Sequence, residues 1–183
     1  MKLNGIVEGI FTAKINELNA SLSDWEILFL SESNKLEGEN SAFALMDSML
    51  AWNYAKKSKS SKVRHDCIKN IHFLLMRNLN REIAGIYREI PVMVGGREDT
   101  CPPEEIFLAM EKWCEEFSSP KGSPEEVRRE HVKFLKIHPF VDGNGRTARI
   151  LMNVQNLSSG YQPIIFLAQE PPKGVESYYD WFN

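Results

Sequence analysis

Between His138 and Arg149 the chain reads His-Pro-Phe-Val-Asp-Gly-Asn-Gly-Arg-Thr-Ala-Arg, which places a histidine, a carboxylate, a glycine-flanked asparagine and two arginines within twelve residues. An imidazole with an ordinary pKa of about 6.5 is largely neutral at pH 7, so His138 can accept a proton. Asp142 supplies the hard oxygen that Mg2+ takes when one or two carboxylates share the ion with phosphate oxygens. Gly143 and Gly145 allow a backbone to approach phosphate closely, and Asn144 brings a side-chain donor. Arg146 and Arg149 add permanently charged, forked donors. Apolar Ile150, Leu151, Val154 and Leu157 recur at helical spacing, so a helix begins near Asn144. Its first turn offers unpaired N–H groups and the positive end of a dipole. The segment therefore reads as a base, a metal carboxylate and a polyphosphate cradle.

Each of these residues also has a plainer explanation. A histidine on an apolar helix face is usually a satisfied core residue, and His131 is read that way. Asp142 can be a turn residue, Gly143 and Gly145 a simple bend into a helix, and Arg146 with Arg149 a solvated face. Phe140 is read as a core anchor for the loop.

The elements that must position this segment follow from capping and period. Ser123-Pro124-Glu125-Glu126 is a helix start, with a Ser N-cap, Pro at the first position and Glu three residues after the Ser. On that helix Val127, His131, Phe134 and His138 share one face, so His138 ends it where the chain leaves through Pro139. Helical patterns also cover 4 to 20, 23 to 33, 41 to 57, 61 to 79 and 102 to 117. Ile90, Val92 and Val94 alternate as in a strand before the turn signal Gly95-Gly96, which predicts a short hairpin. A second strand-like run spans 163 to 168, ahead of a final amphipathic segment. The expected fold is all-α with a small β-hairpin flap.

Composition narrows the class. A chain of 183 residues with 43% hydrophobic content fits one globular domain. A net charge of −3 advertises no nucleic-acid surface. The three cysteines, Cys67, Cys101 and Cys114, form no C-x-x-C pair and are expected to be reduced thiols. Glu8 interrupts the N-terminus before an apolar run develops, and no run is long enough to span a bilayer. The expectation is a cytoplasmic protein without nucleic-acid or membrane partners.

The His138–Arg149 segment resembles the signature of the Fic family of nucleotide-dependent protein-modifying enzymes, His-x-Phe-x-Asp/Glu-Gly-Asn-Gly-Arg-x-x-Arg, at every specified position. With roughly one residue in twenty of each type, a chance match at eight or more fixed positions is negligible. His131 and Ile137 ahead of the motif, and Gly85-Ile86-Tyr87-Arg88 with Ile90-Pro91-Val92, extend the resemblance over most of residues 30 to 182. It implies a single Fic-type domain over 1–183, with N-terminal helices over 1–40 and a catalytic core over 41–183. It also implies transfer of AMP from ATP to a Ser, Thr or Tyr hydroxyl of a protein, the chain itself being one candidate target. In that scheme His138 is the base and Asp142 holds Mg2+. Gly143, Asn144 and Gly145 form the anion hole, and Arg146 and Arg149 bind phosphates. Tyr178 or Tyr179 is the candidate for lining the adenine side.

Ser33-Asn34-Lys35-Leu36-Glu37-Gly38 resembles the family's inhibitory motif, Ser/Thr-x-x-x-Glu-Gly/Asn. That resemblance implies Glu37 pairing with Arg149, with Ser33 and Gly38 completing the motif. The plainer reading is an exposed glutamate at a helix end stopped by Gly38. The flap residues Ile90, Val92 and Val94 offer an edge to an extended target segment, and the resemblance implies the same use. Two alternatives stay open: removal of AMP from a modified protein by the same site, and a non-catalytic binding module of the same fold.

Overall fold

The helix that starts at Asp24 is opened by a glutamate cap: the Ser23 N–H and hydroxyl both donate to Glu26 Oε2 at 2.8 and 2.7 Å. The structure is a computed structural model that describes residues 16–18, 20–58, 62–94, 100–119, 121–169 and 177–182. Among the described residues six helices can be traced from end to end: α1 Asp24–Lys35, α2 Ala42–Ser58, α3 His65–Met76, α4 Ile106–Phe117, α5 Pro124–Ile137 and α6 Asn144–Ser158. A 3-10 turn at Pro103–Glu105 leads into α4, and another at Tyr179–Phe182 follows the last described loop.

Helix α6 is the axis of the fold, contacting α1, α2, α3 and α5. From Arg146 to Asn156 every residue of it is buried. Around it Trp52, Ile68, Ile71, Leu75, Met110, Trp113, Phe134 and Phe140 make one core. A smaller cluster of Val127, Met152, Phe166 and Tyr178 sits on the side of α6 that faces the C-terminal segment. Helix α5 begins as its sequence dictates, with the Glu126 N–H donating to Ser123 Oγ at 3.3 Å.

Two expectations are corrected and two fall partly outside the described residues. Residues 163 to 168 form no strand; the Ile164 N–H and C=O pair with the Asn153 side chain at 2.8 Å each, and the Ala168 N–H donates to Glu32 Oε2 at 2.9 Å. The continuous apolar run there reflects packing against α6, and side chains satisfy the backbone in place of a ladder. The helix expected over 61 to 79 is shorter, because Arg77 to Leu79 close it as a turn. A hairpin is not seen among the described residues: 90 to 93 are irregular, Val94 makes an isolated bridge, and 95 to 99 lie outside them. The amphipathic segment expected over 4 to 20 lies mostly outside them as well. Among the described residues no helix is long and apolar enough to cross a membrane.

Helix α1 is bolted to α2 by one carboxylate. Glu26 Oε1 accepts from Trp52 Nε1 at 2.6 Å and from Lys56 Nζ, while Oε2 serves the Ser23 cap. Burial alone would raise the Glu26 pKa; the Lys56, Ser23 and Trp52 donors outweigh it and hold it at about 2. Because this folded-state value lies below the unfolded one, the group's stabilisation is complete above about pH 4.5 and is lost as pH falls toward 2. We predict that Glu26→Gln destabilises the protein at pH 7 by about 2–3 kcal/mol and flattens the acid limb of a stability–pH curve measured by chemical denaturation.

Candidate active site

His138 closes α5 in a left-handed conformation, φ 51° and ψ 62°, with its N–H bonded to the Phe134 carbonyl at 2.9 Å. Nδ1 lies 3.3 Å from the Leu135 carbonyl, which can only accept, so Nδ1 carries the proton and Nε2 keeps its lone pair. Burial pushes the pKa below the ordinary imidazole value, assisted by the Arg88 charge and opposed by the Leu135 bond and by Glu37 and Asp142. His138 is thus a neutral ring with the basic nitrogen unspent on Leu135. His131, one face-repeat earlier, is buried beside Tyr178 with its pKa also driven down by burial.

The loop after His138 is held by three side chains. Asn144 Oδ1 accepts from the Phe140 N–H at 2.9 Å, and its Nδ2 donates to the Phe140 carbonyl at 2.8 Å. One of the two N–H donors of the Asn144 amide is therefore engaged on the loop itself. His72 Nδ1 accepts from the Gly85 N–H at 2.9 Å, which leaves the proton on Nε2 to donate to the Asp142 carbonyl at 2.8 Å. Its ring stacks on Phe140 at 3.7 Å, and burial lowers its pKa to about 4. Arg88 donates from Nε to the His138 carbonyl at 2.7 Å, from Nη1 to Ile90 at 2.8 Å and from Nη2 to Cys101, with its own N–H on Pro139 at 2.9 Å. Sequence reasoning assigned no role to His72 or Arg88. The signal was a histidine beside Ile71 on an apolar helix stripe, and a basic residue that burial forces to find carbonyls.

At the start of α6 no side chain caps the helix, so its first N–H groups face the loop unspent. Both arginines of the motif are buried, at 4% and 1% exposure, and neither lies on a solvated face. Arg149 donates from Nε to Ser33 Oγ at 2.8 Å, and from Nη2 to the Ser33 carbonyl at 2.8 Å and Glu37 Oε1 at 2.6 Å. The Tyr178 ring lies 4.9 Å from its guanidinium carbon. Arg146 Nε and Arg149 Nη1 are buried without an acceptor. A Cβ on Gly145 would stand 2.3 Å from Glu37 Oε1 and 2.9 Å from Arg149 Nη1, so the glycine is what leaves room for both groups over the helix end. Gly38, at φ 73°, stops the turn that carries Glu37.

Asp142 is placed differently, with its side chain 60% exposed. Oδ1 accepts from the Gly143 N–H at 2.6 Å, and Oδ2 stands 3.6 Å from Arg146 Nη2. One oxygen makes the turn and the other pairs loosely with Arg146 on an otherwise exposed carboxylate. Among the described residues no group of three or more His, Cys, Asp or Glu side chains could hold a metal unaided. A single exposed carboxylate fits an ion that arrives with phosphate oxygens. Of the flap residues, Ile90 is 56% and Val94 39% exposed, and the Thr100 hydroxyl donates to the Val92 carbonyl at 3.2 Å. Tyr178 is buried against Arg149, whereas Tyr179 is exposed.

The Fic/DOC family profile matches residues 62–155, which include α3, the flap approach, His138 and the motif loop. The chain belongs to this family. The protein adenylyltransferase Fic of Nematostella vectensis is 31% identical over 155 residues, 83% of this chain and 34% of that protein. The Drosophila melanogaster protein of the same name is 35% identical over 109 residues, 58% of this chain and 22% of the relative. This chain thus spans about a third or less of the length of the curated relatives it matches. In architecture it is similar to a Fic-domain signalling protein of Bacteroides thetaiotaomicron, with a TM-score of 0.67 at 21% identity over 85% of this chain and 70% of the other. Fic-1 of C. elegans gives a TM-score of 0.65 at 18% identity, covering 91% of this chain and 63% of that one. These likenesses establish a mostly helical Fic fold.

We predict that histidine 15N spectra find His138 titrating below the ordinary imidazole value, with its proton on Nδ1 at pH 7. A pKa above that value, or a proton resident on Nε2, contradicts the geometry.

Proposed function

We propose that this chain is an autoinhibited adenylyltransferase that moves AMP from ATP to a hydroxyl of a target protein and releases pyrophosphate. The observation that carries the reading is a pair of buried guanidinium groups at an uncapped helix N-terminus, each with a nitrogen that no protein acceptor serves. Buried positive donors without partners are costly, and an anion with several oxygens would satisfy both. The neutral His138 ring, on the loop leading to that helix end, is suited to the accompanying proton transfer. His138 Nε2 would remove the proton from the target hydroxyl, whose oxygen forms a bond to the α-phosphorus. The bond from that phosphorus to the β-bridging oxygen breaks and pyrophosphate departs. Arg146, Arg149 and the first α6 amides would hold the polyphosphate. Asp142 is the residue suited to Mg2+, which when bound would offset charge on the phosphate oxygens.

The autoinhibitory part rests on Glu37. Its carboxylate occupies the end of the Arg149 guanidinium directly above Gly145, where a γ-phosphate would need that cation. A second reading, removal of AMP, is favoured by one feature: the Glu37 carboxylate stands over the start of α6 and is about a third exposed, so it could orient a water there.

Incubation with labelled ATP and Mg2+ tests both parts. Glu37→Gly should raise auto-modification strongly, and Glu37→Gly with Arg149→Ala should return to inactivity. In the Glu37→Gly background, His138→Ala should cost roughly 10²–10⁴-fold in transfer while calorimetric ATP affinity holds. Turnover near the parent level in that variant, or wild-type behaviour of Glu37→Gly, overturns the assignment. Loss of a bound AMP from a modified protein, blocked by Glu37→Gly, would select the second reading.

The flap is proposed to register the target by main-chain pairing. Val92→Pro removes one donor from its edge without touching the motif loop. Modification of a protein target should fall while ATP affinity is unchanged; if both fall together, the segment is structural and the target docks elsewhere.

A further inference from the structure

A guanidinium presents two forks. Nε–H and the neighbouring hydrogen of one terminal nitrogen form a side fork; the remaining hydrogens of the two terminal nitrogens form an end fork. Ser33 takes the whole side fork of Arg149, with Oγ on Nε and the carbonyl on Nη2, both at 2.8 Å. Glu37 takes only the end fork, through Nη2 at 2.6 Å. Nη1 has no acceptor and stands over Gly145 at the start of α6. The two residues of one motif therefore address different edges of the same cation.

They also differ in how firmly they are held. Ser33 lies within α1, 5% exposed, on a helix fixed by ties that do not involve Arg149. Glu26 is bonded to Trp52, Asn34 accepts from the Ser48 hydroxyl at 3.0 Å, and Glu32 accepts from the Ala168 N–H at 2.9 Å. Glu37 lies beyond the helix end, on the turn closed by Gly38, with its side chain 31% exposed. It can leave by rotating its own side chain while α1 stays docked.

The geometry points to Ser33 as a positioning residue for nucleotide binding: it holds the side fork of Arg149 with Glu37 present or absent, and aims the end fork at a phosphate once Glu37 has left. The inference rests on Arg149 being a polyphosphate contact, as proposed above. Ser33 then prepares the cation that Glu37 covers. Tyr178, 4.9 Å from the guanidinium carbon, limits the remaining freedom of the plane.

The test is a double-mutant cycle in the Glu37→Gly background, reading ATP affinity by calorimetry and auto-modification kinetics with ATP and Mg2+. Ser33→Ala, neutral for a helix, should raise both the Kd and the KM for ATP about tenfold, since a buried hydrogen bond to a charged group is lost. Ser33→Thr, which keeps the hydroxyl, should recover most of that loss. Adding Ser33→Ala to Glu37→Gly/Arg149→Ala should change ATP affinity no further, because the group being aimed is gone. With Glu37 intact, Ser33→Ala should not activate.

Activation by Ser33→Ala alone would make Ser33 part of the inhibitory lock and overturn the inference. So would unchanged ATP affinity in Ser33→Ala/Glu37→Gly, or an undiminished Ser33→Ala effect in the absence of Arg149. If Arg149→Ala leaves the affinity of Glu37→Gly for ATP untouched, the polyphosphate role of Arg149 fails first, and this inference with it.

Discussion

A full positive charge held at 1% exposure inside α6 is the constraint around which this molecule is arranged. Removing a guanidinium from water is repaid only if its donors find acceptors, and α6 itself has none to give. The acceptors come from α1 and the turn beyond it, as Ser33 and Glu37, with the Tyr178 ring adding a polarizable face. Helix α1 must therefore dock where its last turns reach Arg149, and the C-terminal segment must return to bring Tyr178. Asn153, one turn further along α6, and Glu32, one residue before Ser33, bond that returning segment. The elements that solve the charge problem are thus tied to each other as well as to the charge.

A second constraint lies at the junction of α5 and α6. The C-terminal carbonyls of one helix and the N-terminal amides of the next meet across six residues, and a buried junction must satisfy its polar groups. Arg88 collects the carbonyl side by bonding His138, and Asn144 clasps Phe140 at the bend. His72 fixes the Asp142 carbonyl from α3 below. The amide side of α6 is left without a protein cap. That asymmetry has a chemical direction: positive ends without partners attract anions, while the carbonyls that would repel them are already occupied.

The sequence made some of this legible and hid the rest for definite reasons. Helix α5 was readable to the residue at its start, because Ser123, Pro124 and Glu126 act locally on the backbone. The position of His138 followed from the face it shares with Phe134. Helix α6 was recognisable from its apolar spacing, but that pattern gave no sign that Arg146, Arg149, Asn153 and Asn156 are as buried as Ile150. Polar residues enter an interior when distant partners meet them, and such pairing is not written in period or propensity. The same distance hid the bonds of His72, 70 residues from Asp142, and of Ser33, 116 residues from Arg149. The run at 163 to 168 misled for the converse reason. The run is apolar throughout, as a buried strand would be, but Asn153 and Glu32 occupy backbone groups that a neighbouring strand would need. The clasp of Asn144 on Phe140 was equally hidden, since nothing in the spacing tells which backbone groups an amide will serve.

The two glycines of the motif separate conformation from space. Gly143 sits at φ 75°, where a Cβ would stand 2.9 Å from Met76 Sδ and 3.1 Å from His72 Nε2, so it answers to backbone shape and to packing on α3. Gly145 has no unusual φ; its missing Cβ makes room for the Glu37 carboxylate and Arg149 Nη1. Under the proposed function, that small volume over one helix end serves two anions in turn. A carboxylate from the chain and a phosphate from the nucleotide would be drawn by the same amides, the same dipole and the same cation. Inhibition and substrate binding then cannot be tuned apart at this end of α6, because whatever strengthens the cradle for phosphate strengthens it for Glu37. The adjustable part must lie outside the cradle, in the turn from Leu36 to Gly38 that decides how easily the glutamate swings away.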